Sequence, residues 1–218
     1  MLVCCWSSKG GSGTTVIAAA LTVLLGRRSP AGALAVDLAG DLPVVLGLAD
    51  DPDTAGVCEW LDGGALVPAD GLARLERRVS PDVALVPRGR GSPSAARAPA
   101  LAGLLAADGR PVVVDAGVVD DAASAAVAFA ARADHSLLVV RPCFLALRRA
   151  LHAPLRPTGV VVIVEDGRAI DALDVEEALG VPVRAEVHVT PQVARAVDAG
   201  LFAHRLPRSL ERELARAA

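Results

Sequence analysis

Apolar residues in this chain gather into short unbroken runs, and between the runs they recur at helical spacing. Strand-like runs cover residues 2–6, 33–37, 83–87, 111–115, 136–140, 159–164 and 181–187; most are unbroken and rich in Val, Leu and Ala, while Arg184 and Glu186 interrupt the last. A strand with one wet face alternates apolar and polar residues, so unbroken runs predict strands buried on both faces. Helical patterns are predicted over 15–26, 41–48, 94–107, 120–131, 144–151, 171–179 and 191–199. Strands alternating with helices predict an α/β fold: a mostly parallel, seven- or eight-stranded sheet with helices on both faces.

Several boundaries are legible. Asp171 opens one helix and Gly180-Val181-Pro182 stops it, while Thr190-Pro191 opens the next and Gly200 ends it. Residues 75–87 read as two short strands around Ser80-Pro81-Asp82, a hairpin at a sheet edge. The stretch 87–93, with two glycines and two prolines, is the most flexible-looking part of the chain, yet it is too short to link two domains. One domain over 1–218 is therefore expected. A terminal helix is predicted over 205–218, with Arg208, Arg212 and Arg216 on one face and Leu210 and Leu214 on another. With Glu211 and Glu213 alongside, the arginine face reads as solvated rather than as a nucleic-acid or lipid contact.

Composition narrows the classes. The chain has 218 residues, no tyrosine and a net charge of −3, so nothing global draws it to nucleic acid or an anionic membrane. Cys4, Cys5, Cys58 and Cys143 have neither disulfide density nor zinc spacing and read as small apolar residues. No basic leader precedes the first apolar run, and no run reaches the length that spans a bilayer. The expectation is a cytoplasmic protein, with at most peripheral attachment at the membrane or a cell pole. His135, His152, His188 and His204 are scattered, with no nucleophile at a recognisable spacing.

The chemistry concentrates at the start. Lys9 is the only lysine; every other basic residue is arginine. It opens the loop Lys9-Gly10-Gly11-Ser12-Gly13-Thr14-Thr15, which lies between the first strand and the first helix. In that geometry backbone N–H groups and a helix N-terminus surround a phosphate, and the glycines let the backbone come close. Thr14 and Thr15 supply hydroxyls for a Mg²⁺ ion, which prefers hard oxygen ligands. A dinucleotide-binding turn is the rival, with Gly11 and Gly13 after a strand and Asp37 ending the next one. That turn would need its third glycine where Val16 stands, and it gives Lys9 no role.

The loop resembles the deviant Walker A motif, KGGxGKT, of the ParA/MinD family of P-loop ATPases. Ala35-Val36-Asp37-Leu38 is similar to that family's second strand and switch, and Val112-Val113-Val114-Asp115-Ala116-Gly117 looks like its Walker B. Residues 184–200 resemble its closing strand and helix. Residues 41–48 are most similar to the CpaE/TadZ pilus-positioning and septum site-determining branch. The resemblance implies a P-loop NTPase fold of the SIMIBI/MinD type, with ATP and Mg²⁺ as cofactors. Lys9 would reach across a face-to-face homodimer to the partner's phosphates, and Gly10, Gly11, Ser12, Gly13 and Thr14 would line the nucleotide. Thr15, Asp37 and Asp115 would belong to the metal site.

Three departures from the family pattern bear on activity. Thr14 stands in place of the ordinary Walker lysine, so the charge that offsets the β- and γ-phosphates is missing. Ala39 stands in place of the water-positioning aspartate; Asp41 is nearby in a shifted register and is the one catalytic candidate. Val164-Glu165-Asp166 stands where an asparagine reads adenine. The resulting expectation is a positioning or assembly factor for a septum site or a pilus or secretion machine, with weak or absent hydrolysis. Two alternatives remain open: a nucleotide-free interaction module, and a slow partition ATPase that binds DNA.

Overall fold

The computed structural model describes residues 1–49, 51, 53–63, 70–215 and 217. Strands β1 (Leu2–Ser7), β2 (Ala33–Asp37), β3 (Arg77–Ser80), β4 (Val83–Val86), β5 (Val112–Val118), β6 (His135–Val140), β7 (Gly159–Val164) and β8 (Val183–His188) form one eight-stranded sheet. Their spatial order is β3-β4-β2-β5-β1-β6-β7-β8, and only the β3–β4 pair is antiparallel. That pair is the edge hairpin anticipated around Ser80-Pro81-Asp82.

Helices α1 (Thr14–Arg28), α2 (Leu42–Val45), α9 (Pro191–Asp198) and α10 (Arg208–Leu214) lie on one face. Helices α3 (Val57–Asp62), α5 (Ala98–Ala106), α6 (Ala125–Arg132), α7 (Phe144–Leu151) and α8 (Ala172–Leu179) lie on the other, and the short α4 (Asp70–Ala73) precedes β3. The pleat of β1 divides its residues between two cores: Leu2, Cys4 and Trp6 join the second face, Val3 and Cys5 the first. Burying both faces makes every residue of β1 apolar except the last, which is why it reads as an unbroken run. With hardly any aromatic residues, both cores are filled by Val, Leu and Ala; Trp6 is an exception, and its indole N–H donates to Ser136 Oγ at 3.0 Å.

Where boundaries differ from expectation, local chemistry explains it. Helix α2 is four residues long instead of spanning 41–48, because Gly47 turns the chain at φ 86. Helix α5 starts at Ala98 rather than 94, where Pro99 sits in the first turn, and α6 starts at Ala125 where Ser124 caps it. Strand β5 continues past Asp115 because Val118 still pairs with Ser7. The C-terminal helix runs over Arg208–Leu214; Arg216, assigned to its arginine face, lies outside the described residues. Asp50 and Pro52 also lie outside them. Helices α3 and α4 have no counterpart among the expected elements.

The stretch 87–93, expected to be flexible, is tied down around Arg88. Val57 N–H and Cys58 N–H donate to the Pro87 and Arg88 carbonyls, and the Glu59 carboxylate accepts from Gly56 and Arg90 N–H. Glycines 89 and 91 are there for positive φ, not for mobility. No helix among the described residues is long and apolar enough to cross a membrane.

Candidate functional site

The sheet order fixes where a ligand can sit. β1 leads through α1 to β2 on one side, while β5 leads through α6 to β6 on the other. The connections diverge above the carboxyl ends of β1 and β5, and open α/β sheets bind ligands at such a divergence. The loop after β1 occupies that place. A cleft of about 500 Å³ opens there, lined by residues 10–16, by Ala39 and Asp41 after β2, by Ala116–Val118 of β5 and by the start of α6.

The loop is shaped to leave its backbone bare. Gly13 caps α1 in the left-handed region at φ 84, where a side chain would be strained. A Cβ at Gly10, Gly11 or Gly13 would meet nothing within 4 Å, so the space beside these residues is open. Helix α1 carries no acidic residue in its first turn, leaving the positive end of its dipole uncompensated. The loop is braced by Ser12 Oγ donating to the Lys9 carbonyl at 2.8 Å, Ser7 Oγ to Gly117 O at 3.3 Å and Ser8 Oγ to Ala146 O at 3.1 Å. Bare N–H groups, room and a positive helix end together make an anion cradle.

Among the described residues, however, no lysine or arginine lines the cleft; its one ionisable lining residue is Asp41. Asp41 stands exposed before α2 with its carboxylate uncommitted to a cap. Thr14 is buried at the helix start. Lys9 is half-exposed at the lip of the loop and makes no ion pair with the described residues.

Beneath the cleft lie Asp37 and Asp115, both fully buried and directly paired in register on β2 and β5. Asp37 is consumed by its own loop: Oδ1 accepts from Ala39 and Gly40 N–H at 2.9 and 2.7 Å, and Oδ2 from Leu42 N–H at 3.3 Å. Burial raises its pKa against the opposing pull of those donors and of Arg88. Asp115 is different. Its Oδ1 accepts from Gly117 N–H at 3.1 Å, but its Oδ2 is buried without a hydrogen-bond partner. Burial pushes its pKa up to about 7; the Thr15 hydroxyl partly opposes that rise, and the charge of Asp37 adds to it. A buried carboxylate oxygen with no donor, beside a threonine hydroxyl, fits a hard divalent cation.

One residue at the site gives no signal in the sequence. The Arg88 guanidinium donates to the Ala39 carbonyl at 2.8 Å and covers Gly40, where an added Cβ would come within 2.7 Å of Cζ. It fixes the loop 38–41 from behind. Glu165, at the position expected to face a base, is instead bound by Arg141 and Arg168. The four cysteines are free, with Cys143 Sγ accepting from Ala146 N–H at the start of α7. Of the histidines, His188 reaches the Glu213 carboxylate at 3.1 Å.

No family model and no curated protein matches the sequence. Solved structures do match. A ParA family ATPase from Chlorobium tepidum is similar with a TM-score of 0.80 at 19% identity, over 98% of this chain and 96% of that one. The cell division ATPase MinD from Pyrococcus furiosus is similar at 0.77 and 23%, over 100% and 99%. The chain has the ParA/MinD fold. The septum site-determining protein MinD from Pyrococcus horikoshii, solved with Mg-ADP, is similar at 0.76 and 19%, over 100% and 97%. In this fold the loop 9–15 follows β1, which lies between β5 and β6 in the sheet.

Proposed function

We propose that this chain acts as one domain, a ParA/MinD-like positioning or assembly factor that binds ATP with Mg²⁺ as a homodimer and hydrolyses it slowly or not at all. The observation that carries the reading is the mismatch inside the cleft: a complete backbone cradle for phosphate, with no cationic side chain among its described lining residues. Charge must therefore come from outside the cradle. Thr15 and the free oxygen of Asp115 would hold Mg²⁺, with Asp37 keeping the adjoining loop in place, and the ion would offset phosphate charge. Lys9, half-exposed and without an ion pair among the described residues, would serve a neighbouring copy rather than its own loop. Asp41 is the one acid lining the cleft that could touch a water molecule, and its carboxylate is not held by a cap.

The role assigned follows the company the fold keeps. The similar Aquifex aeolicus MinD (TM-score 0.78, 16% identity) is found in a MinC:MinD complex, and a variant of Cyanothece McdA was solved as an ATP complex (0.70, 18%). A protein partner and a nucleotide are accordingly proposed for this chain. Residues 41–48 favour the septum-site or CpaE/TadZ-like branch. The bare cleft also favours one second reading, an interaction module that keeps the fold and binds no nucleotide.

Calorimetric titration with Mg-ATP separates the two. Wild type is expected to bind weakly, and Thr14→Lys at least tenfold more tightly, because a lysine there restores a charge beside the phosphates. Phosphate release by wild type should stay below about one turnover per minute, against about 10 per second for a typical enzyme. Faster release overturns the weak-hydrolysis reading. If neither protein binds Mg-ATP, the nucleotide-free module is the correct account.

A further inference from the structure

A second recess lies on the face formed by α1, α9 and α10. Helix α9 has no buried residue; Val193, Ala196 and Val197 only half-cover the core beneath them. Between α9, the segment after it and α10 runs a groove of about 820 Å³. Arg27, Arg195, Arg205 and Arg208 line it, against the single carboxylate of Glu211. Arg27 reaches that carboxylate at 3.9 Å; the other three guanidiniums make no ion pair with the described residues.

The groove is not simply basic. Ala196 and Leu206 form an apolar floor, and Leu201 projects into it with 45% of its surface exposed. In a chain of net charge −3, so many uncompensated guanidiniums around one apolar floor reverse the local field. Arginine suits this arrangement because its planar fork pairs with carboxylates two bonds at a time.

We propose that this groove docks an acidic amphipathic segment of a partner protein. Its carboxylates pair with Arg195, Arg205 and Arg208, and its apolar side chains cover Leu201, in the manner of a helix laid in a groove. A phosphodiester backbone would satisfy the arginines but leave the apolar floor uncovered, and a bilayer surface cannot follow a concave groove. Docking uses none of the residues at the phosphate loop, so it stands or falls independently of nucleotide binding.

The test is fluorescence anisotropy on the full chain without nucleotide, at about 0.15 M salt, where long-range attraction is screened. The probe is a labelled helical peptide built on the repeat Glu-Leu-Leu-Glu. Saturable binding is expected, weakened at least tenfold by Arg195→Glu with Arg205→Glu and at least threefold by Leu201→Ser. These residues are exposed, and unchanged circular dichroism and melting will show that the variants fold. A polyglutamate peptide of equal charge should bind at least tenfold more weakly. The proposal is overturned by the absence of saturation up to about 1 mM peptide, the weak end of specific binding. Equal binding of polyglutamate also overturns it, as does groove-dependent binding of duplex DNA or anionic vesicles without binding of the peptide.

Discussion

Asp37 and Asp115 face each other on adjacent strands, both fully buried, and the fold treats them differently. Three backbone N–H groups hold the Asp37 carboxylate, whereas one oxygen of Asp115 is left bare. Burial disfavours the charged form of Asp115, and the charge of Asp37 opposite adds to that, so Asp115 keeps its proton up to about pH 7. The unfolded chain releases the same proton near the ordinary value of 3.8, so between these limits the folded chain binds more protons. The ligand-free protein is therefore most favoured by this group below about pH 4, and that contribution is lost as pH rises through 7. Urea denaturation at pH 5 and pH 8 should show Asp115→Asn losing less stability across the interval than wild type. A tenfold change in a proton equilibrium is worth about 1.4 kcal/mol, so the difference between the two proteins is on the order of a few kcal/mol. Parallel pH profiles for the two proteins would contradict the assignment.

Residues differ in how plainly the sequence announces them. Lys9 and the glycine loop are contiguous, so an open loop between β1 and α1 is readable from spacing alone. Asp115 is readable as the end of an apolar run, but its bare oxygen depends on which strand pairs with it. Arg88 is unreadable, because it meets Ala39 across 49 residues of chain.

At the scale of elements, the loop after β2 is the part whose conformation decides what the cleft offers. It is held from inside by Asp37 and from behind by Arg88, and Gly40 adopts φ 111 where the guanidinium covers it. Arg88→Ala should free the Ala39 carbonyl at a cost of about 1–3 kcal/mol and speed hydrogen exchange at the Gly40 amide. Unchanged exchange at Gly40 would show that Asp37 alone holds the loop. The inner strands are legible because burial on both faces removes most polar residues from them, whereas β3 and β8 at the edges keep theirs. The pattern overstates helix α2, since the apolar run 42–48 continues through Gly47, where the backbone turns away. Helices α3 and α4 have too few residues for a periodic pattern to build up. The stretch around Arg88 reads as mobile because glycine and arginine at its turns conceal the hydrogen bonds from 56–59 that hold it.

At the scale of the molecule, the fold class follows from alternating patterns, but the strand order does not. The position of β5 between β1 and β2 is what gathers the loop 9–15, Asp115 and the loop 38–41 around one cleft. The cleft holds a backbone cradle and one exposed acid, so on the proposed function the charge that offsets a triphosphate would come from a metal ion and a second copy of the chain. On the proposed function, nucleotide binding and dimerisation would be one event, with Lys9 as the residue proposed to join them. Sedimentation velocity with and without Mg-ATP, on wild type and Lys9→Ala, tests this most directly. A nucleotide bound by the dimer stabilises it by mass action, so millimolar Mg-ATP should register even when binding is weak. The account predicts that Mg-ATP shifts wild type from monomer to dimer and leaves Lys9→Ala monomeric. A Lys9→Ala protein that dimerises with Mg-ATP as wild type does, or a wild type that Mg-ATP leaves unchanged, would contradict it.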